Sequence, residues 1–203
     1  HDMNKIEAIK AERDGLTVRE MLGHYAQAGW ESIPEDDIQR LKWYGLFLRN
    51  PTPGFFMLRV RMPGGQTTSA QLRVLADIAL AYGNGVVDVT TRQQVQLRHL
   101  TIAHVPAVFA KLEEAGLTSM QTGMDSVRNV MTCPVAGLNP NELMDGTEIV
   151  RAINREVLGN PAYTNLPRKC NIAVTGCTDN CLHTETQDIA LVPAYHDLGH
   201  DKC

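Results

Sequence analysis

The strongest constraint on the fold is the order of apolar patterns between residues 55 and 116. Alternating and helical spacings predict, in chain order, a strand at 55–62, a helix at 69–82, strands at 86–90 and 95–100, and a helix at 105–115. Glycine-rich turns at 63–65 and 83–85 separate the first three elements. This order opens a split βαβ, or ferredoxin-like, α+β unit, whose last strand we expect at 118–122.

The rest of the chain divides around this unit. Residues 1–54 predict a helical leader with an irregular stretch at 31–54, residues 55–123 the ferredoxin-like half-domain, and residues 124–203 the start of a second α+β domain. The elements expected outside the central unit are helices at 4–13, between the N-cap Thr17 and Gly29, and at 146–157, and strands at 171–175 and 189–192. Residues 196–203 show no pattern that we can interpret.

Composition excludes several classes of protein. The chain has 203 residues, with 19 basic and 23 acidic side chains and a formal net charge of −4, so it is not a globally basic nucleic-acid binder. No apolar run approaches the roughly 20 residues of a membrane span. Five cysteines are too few for a disulfide scaffold. Their odd number, without a signal peptide, indicates a reducing, cytoplasmic environment.

Basic residues are concentrated on the predicted sheet and its flanking turns, although the chain as a whole is acidic. The residues concerned are Arg59, Arg61, Arg92, Gln96, Arg98, Arg128, Arg168 and Lys169. Side chains two apart on a strand face the same side of a sheet, so several of these cations and amides share one surface. Such a surface predicts a ligand with several carboxylates or phosphates. Salt bridges to nearby acidic residues and solvated strand edges are an equally weighted alternative.

Four cysteines form the other candidate site. Cys177 and Cys181 are spaced as C-x₃-C directly after a predicted strand, and Cys133 and Cys170 could complete a set of metal ligands. Isolated cysteines are more often small buried apolar residues, and we consider that interpretation the stronger one. No P-loop and no hydrolase-like arrangement of serine, histidine and acid is present in the sequence.

Several long segments of the chain resemble one enzyme family. They are KIEAIKAERDGL, GWESI, RLKWYGLFLR, TPGFFMLRVRMPGG, QLRVLADIA, DVTTRQQVQLRHL, GLTSMQTGMDSVRNV, PVAGL, NLPRKCNIAVTGC and ETQDIALVPA, which together run from residue 4 to 194. They resemble the amino-terminal half of the siroheme- and iron–sulfur-containing nitrite and sulfite reductases, and within that family the ferredoxin-dependent assimilatory nitrite reductases.

The resemblance implies two sets of site residues. Siroheme, an iron tetrapyrrole with eight carboxylates in this family, would bind to Arg92, Gln96, Arg98, Asn129 and Arg168. The substrate anion would bind to Arg59, Arg128, Lys169 and Asn171. Sulfite reductases tend to carry a second lysine at the position of Asn171, whereas nitrite reductases carry asparagine. Because nitrite is a monoanion and needs less positive charge, the resemblance favours nitrite over sulfite.

The resemblance also implies the reaction and the partners. The expected activity is the six-electron reduction of nitrite to ammonia with electrons from ferredoxin, with no nucleic-acid or membrane partner. A [4Fe-4S] cluster belongs to the family, but its usual cysteines lie in a carboxy-terminal half that this sequence does not include. That half, or a second copy of the chain, is therefore an expected partner. The alternatives are a non-catalytic tetrapyrrole-binding or assembly half-domain and a sulfite-reducing relative.

Overall fold

The computed structural model describes residues 4–194. Its α-helices are α1 (Lys5–Glu12), α2 (Leu22–Ala28), α3 (Glu35–Leu41), α4 (Ser69–Tyr82), α5 (Val105–Glu114) and α6 (Thr147–Val157). Its strands are β1 (Leu46–Leu48), β2 (Phe55–Val60), β3 (Val87–Val89), β4 (Val95–Thr101), β5 (Met131–Thr132), β6 (Ile172–Val174) and β7 (Ile189–Leu191). The α+β class and the ferredoxin-like unit are confirmed.

A four-stranded antiparallel sheet in the order β1-β2-β4-β3 forms the first layer. One face of β2, carrying Phe56, Leu58 and Val60, is fully buried and belongs to the same apolar core as α4 and α5. Alternation along β2 therefore places Arg59 on the opposite face. On β4 the paired residue is Gln96, which shares that face. One side of the sheet thus makes the core, and the other is available for a polar site.

The predicted strand at 118–122 is wrong. Only an isolated bridge between Arg61 and Thr118 remains there, and β1 occupies the outer edge of β2. The reason is that the segment turns away at once: the amide of Gln121 donates to the carbonyl of Trp43 at 2.7 Å, and the Thr122 hydroxyl donates to the carbonyl of Ser119 at 2.7 Å. These bonds take the backbone out of the ladder.

The leader is more ordered than its sequence pattern predicts. A 3₁₀ helix, Gly15–Met21, precedes α2 and is capped by the Asp14 side chain, which accepts from the amide of Leu16 at 2.7 Å; Thr17 is not the cap that we expected. Both α3 and β1 lie in the stretch that we expected to be irregular. The first helix α1 lies close to its predicted span.

A second, smaller sheet follows with parallel strands in the order β5-β6-β7. The predicted strands at 171–175 and 189–192 are confirmed in shortened form as β6 and β7, and the predicted helix is α6. Val150, Val157 and Val174 belong to the apolar cluster that joins α6 to this sheet. Within the described residues 4–194, no helix is both long and apolar enough to cross a membrane.

Helix α1 is fastened to this second unit by a buried lysine. Only 4% of the Lys10 side chain is exposed. Its ammonium donates to Asp125 Oδ2 at 3.3 Å and to the carbonyl of Leu166 at 3.0 Å, and it also pairs with Glu7. Asp125 and Leu166 belong to the two loops that carry Arg128 and Lys169. The leader therefore fixes the loops on which predicted site residues lie.

Candidate anion-binding site

Arg59 reaches out from β2 over the open face of the sheet. Its Nη1 donates to the carbonyl of Thr122 at 2.9 Å, and its guanidinium carbon lies 5.0 Å from the centre of the Phe47 ring. When the Gln96 amide is oriented with its oxygen toward Arg59, it accepts from Nε at 3.3 Å and from Nη2 at 3.2 Å. All of the acceptors of Arg59 are therefore neutral, and its charge is not cancelled.

Arg128 comes to the same place from the loop after residue 121. Its Nη1 donates to the carbonyl of Thr122 at 3.0 Å, and its Nε and Nη2 donate to the carbonyl of Met124 at 3.0 and 2.8 Å. Since Thr122 accepts from both Arg59 and Arg128, the two guanidinium groups converge on one carbonyl. The sequence predicted both residues for the substrate set, and the fold brings them together.

Arg92 lies between the two sheets. Its Nη2 donates to the carbonyl of Asn129 at 2.8 Å and its Nη1 to Gln187 Oε1 at 3.0 Å, whereas its Nε is buried without an acceptor in the described residues 4–194. Asn129 is fully buried, and its amide nitrogen donates to the carbonyls of Met62 at 2.8 Å and Arg92 at 3.1 Å. Asn129 therefore holds the Arg92 segment in place rather than presenting its side chain at the surface.

Arg61 was predicted to share the basic surface but belongs to neither set of site residues, and it lies beneath this group with only 1% of its surface exposed. Its Nε donates to Asn154 Oδ1 at 2.7 Å, and its Nη groups donate to the carbonyls of Gln121, Val127 and Arg128 at 3.2, 3.1 and 3.1 Å. Arg61 thus binds the loop that carries Arg128 to β2 and α6. Its spacing of two from Arg59 predicted that both side chains share one face of the sheet. The side chain of Arg61 is instead buried inside the protein.

Burial lowers the pKa values of these arginines, and for Arg61 and Arg128 neighbouring arginines lower them further. Burial, together with the charges of Arg128 and Arg92, lowers the pKa of Arg61 to about 10. Burial, together with Arg59 and Arg92, lowers the pKa of Arg128 to about 10 despite the nearby Asp125. Burial also lowers the pKa values of Arg59 and Arg92. Within residues 4–194, none of these four arginines forms a salt bridge with a carboxylate.

Two cavities open beside the arginines. The larger, about 870 Å³, is lined by Arg128, Arg168 and Lys169 together with residues of α1 and of the segment 39–47. The smaller, about 360 Å³, is lined by Arg92, Asn171 and Gln187 among others. We expected Lys169 and Asn171 to alternate at the start of a strand and to reach one ligand. Both precede β6, which begins at Ile172, and they line different cavities.

Arg98 differs from the other predicted cofactor ligands. It forms an ion pair with Asp88 of the neighbouring strand β3, and it lines a third cavity at the far end of the sheet. Arg98 therefore fits the alternative that the basic residues form salt bridges with nearby acidic residues. Arg168 and Lys169 are exposed and make no salt bridge in the described part of the chain, so their charges remain available to a ligand.

The cysteines do not assemble a metal site. Residues 4–194 contain no group of three or more histidine, cysteine, aspartate or glutamate side chains placed to hold a metal ion. Cys133 and Cys177 are buried, Cys170 is half-buried and Cys181 is exposed, all as free thiols. Burial raises the pKa of Cys133, and the neighbouring Cys177 and Cys181 add to this; burial also raises the pKa of Cys170. Raised values favour the thiol, whereas a metal requires the thiolate.

Sequence comparisons identify the family. Residues 49–115 match the nitrite/sulfite reductase ferredoxin-like half domain, and residues 123–200 match the nitrite and sulphite reductase 4Fe-4S domain. The chain belongs to the nitrite and sulfite reductase family. The ferredoxin-like half-domain match covers most of the four-stranded sheet with α4 and α5. The 4Fe-4S domain match covers the loop that carries Arg128 and the parallel sheet.

Individual relatives agree with this assignment. The chain is 48% identical to the ferredoxin–nitrite reductase of Leptolyngbya laminosa and 46% identical to that of Synechococcus elongatus, with 96% of this chain and 39% of each relative aligned. The chloroplastic ferredoxin–nitrite reductase of Arabidopsis thaliana is 40% identical, with 36% of its length aligned. The chain therefore spans less than two-fifths of the length of these curated relatives.

Solved structures show the same architecture. The Mycobacterium tuberculosis NirA protein superposes with a TM-score of 0.86 at 30% identity, over 94% of this chain and 38% of that structure. A dissimilatory sulfite reductase I superposes with a TM-score of 0.61 at 12% identity, which shows a shared fold alone.

Proposed function

We propose that this chain is the siroheme- and nitrite-binding part of a ferredoxin-dependent nitrite reductase that works in a reducing cytoplasm. The observation that carries the proposal is the group formed by Arg59, Arg92 and Arg128, which are desolvated and make no salt bridge with a carboxylate in residues 4–194. Desolvated cations are costly unless an anion balances them. The identity with ferredoxin–nitrite reductases supports siroheme and nitrite as the anions and ferredoxin as the electron donor.

The residues fit a cofactor that carries several carboxylates. The buried Nε of Arg92 still lacks an acceptor in the described residues, and a carboxylate oxygen is the acceptor that a guanidinium binds best. We assign Arg92, Gln96 and Arg168 to siroheme carboxylates and Asn129 to the positioning of Arg92. Arg98 stays a predicted ligand, with a weaker contribution because it shares its charge with Asp88. When bound, siroheme would supply the iron at which nitrite is reduced.

The substrate assignment concerns Arg128 and Lys169, which line the larger cavity, and Arg59, which shares the carbonyl of Thr122 with Arg128. Arg59, Arg128 and Lys169 would orient nitrite, and their N–H groups would stabilise the charge that develops on its oxygens. Asn171 lines the smaller cavity with Arg92, so the preference for a monoanion over the more highly charged sulfite rests on the resemblance. The described cysteines do not fit a [4Fe-4S] cluster, so we assign no electron-transfer step to them.

The test is siroheme uptake by the whole chain. We expect Arg92→Gln to bind siroheme about tenfold more weakly than the parent does, as measured from the visible absorption of siroheme bound per chain. The reason is that one charge-assisted contact is worth about 1.5–3 kcal/mol. Arg73→Gln removes an equal charge from the exposed face of α4 and should bind siroheme as the parent does. Far-ultraviolet circular dichroism would verify that both variants are folded.

Two results would overturn the proposal. Absence of siroheme uptake by the parent chain would remove the cofactor assignment. Equal uptake by the parent and by Arg92→Gln would mean that the arginines serve the fold alone. In loaded protein, spectral titration with nitrite and with sulfite compares the two substrates, and tighter binding of sulfite would favour a sulfite-reducing relative.

A further inference from the structure

Lys42 is a cation that neither the motif resemblance nor the spacing analysis assigned to the site. It begins the 3₁₀ turn Lys42–Tyr44 between α3 and β1, and it lines the larger cavity together with Arg128, Arg168 and Lys169. The carbonyl of Lys42 accepts from the amide of Gly45 at 3.0 Å, so the turn fixes its backbone. Its position is therefore set by the fold and not by a flexible loop.

The ammonium of Lys42 has only a neutral partner. Its Nζ donates to Gln39 Oε1 at 2.5 Å, and in residues 4–194 it makes no salt bridge with a carboxylate. An ammonium has three donors, so two remain for a ligand. Burial lowers the pKa of Lys42, and no neighbouring acid opposes this. A half-buried cation in this setting gains from an anion placed beside it.

The charges around the cavity leave room for such an anion. Its lining includes the four cations named above and two carboxylates, Glu7 and Asp125. Both carboxylates pair with the buried Lys10, and Asp125 also lies near Arg128, so two carboxylates stand against four cations in the lining. The cavity is therefore positively charged, with Lys42 on the wall formed by the leader and Arg128 and Lys169 on the walls formed by the second unit.

We infer that Lys42 is an oxyanion-binding residue of this cavity, acting with Arg128 and Lys169. The inference rests on the proposed function and extends it to the leader segment. The chemistry that Lys42 recognises is a singly charged oxyanion, which could be nitrite or one carboxylate of siroheme. A compact ammonium suits either one, whereas the planar arginines impose paired contacts.

The experiment uses the whole chain in five forms: the parent, Lys42→Gln, Lys42→Arg, Lys169→Gln and the control Lys111→Gln. Lys111 is exposed on α5 beside a different cavity, so its variant removes one positive charge without touching the site. One arm measures siroheme bound per chain, and the other measures the nitrite concentration that half-saturates the spectral change of the loaded protein. We expect Lys42→Gln to weaken binding in one of the two arms by about tenfold relative to Lys111→Gln, and Lys42→Arg to restore part of it.

The outcomes separate the inference from the function on which it rests. An effect in the nitrite arm identifies substrate as the anion at Lys42, and an effect in the siroheme arm alone identifies a cofactor carboxylate. If Lys42→Gln equals Lys111→Gln in both arms while Lys169→Gln weakens nitrite binding, the inference about Lys42 is wrong and the proposed function stands. If the parent binds no siroheme, the proposed function itself has failed.

Discussion

Replacing Arg61 with methionine should remove about 3–5 kcal/mol from the free energy of unfolding. The side chain is almost wholly buried and donates to Asn154 Oδ1 and to the carbonyls of Gln121, Val127 and Arg128. Methionine fills much of the same volume but leaves these four acceptors without their donor. Relief of the desolvated charge offsets part of the loss, so the total is smaller than four separate hydrogen bonds would give.

Urea unfolding measures this loss as a fall in the midpoint concentration with an unchanged slope. Arg151→Met is the matched control, because Arg151 lies exposed on α6 and, within residues 4–194, its side chain pairs only with Glu148 and Gln66; we expect a change within about 0.5 kcal/mol. Arg61→Lys keeps the charge but cannot reach every acceptor, so its stability should lie between that of the parent and that of Arg61→Met. A loss below about 1 kcal/mol for Arg61→Met would show that Arg61 is not what holds the loop.

The same contacts explain why Arg61 escaped a role in the sequence analysis. Two arginines spaced by two on a strand predict a shared face, and the spacing cannot tell which one enters the protein. The strand β2 ends at Val60, and Arg61 turns under the loop of residues 121–128. That loop begins 60 residues later in the chain, so the acceptors that bury Arg61 are not visible in the local pattern.

The fold was predictable where a pattern is long and local. Helix α4 has the predicted bounds because Thr68 and Gln71 form a complete capping box at one end and Gly83 ends the other. Strand β1 has three residues and depends on pairing with β2, so no periodicity could reveal it. The missing strand at 118–122 follows from the same competition, since β1 holds the edge of β2.

The candidate site was predictable as a set of residues and not as an arrangement. The sequence predicted that Arg59, Arg92 and Arg128 belong to one basic surface, and the fold brings them together. It did not predict that Lys169 and Asn171 would line different cavities, because that depends on where β6 begins. Lys42 was missed because it lies in the leader, whose approach to the site depends on tertiary contacts of α1 and α3.

Those tertiary contacts make a second substitution informative, Asp37→Asn in α3. Asp37, only 3% exposed, accepts from the Tyr25 hydroxyl, from Arg13 and, at 2.7 Å, from Nη1 of Arg40, whose own surface is also 3% exposed. Asparagine keeps the shape but removes the charge. It leaves the buried Arg40 with only Glu12 as a charged partner. We expect a loss of about 3 kcal/mol at pH 7, near the lower end for breaking a buried charge pair.

The dependence of this loss on pH distinguishes charge from packing. Burial tends to raise the pKa of Asp37, but hydrogen bonds from Tyr25, Arg13 and Arg40 outweigh it and hold the pKa below its usual value. In the unfolded chain an aspartate has a pKa of about 3.9. Its contribution is therefore complete above that pH and falls as the pH drops toward the folded value, because the unfolded state binds the proton first.

Urea midpoints measured from pH 7 to pH 3 should converge for the parent and Asp37→Asn. Asp36→Asn removes a carboxylate from the next position of α3 that makes no salt bridge in residues 4–194, and it should cost less stability at pH 7 than Asp37→Asn. A gap between the parent and Asp37→Asn that stays constant down to pH 3 would assign the loss to packing, and the charge network would then not be what holds the helices of the leader together.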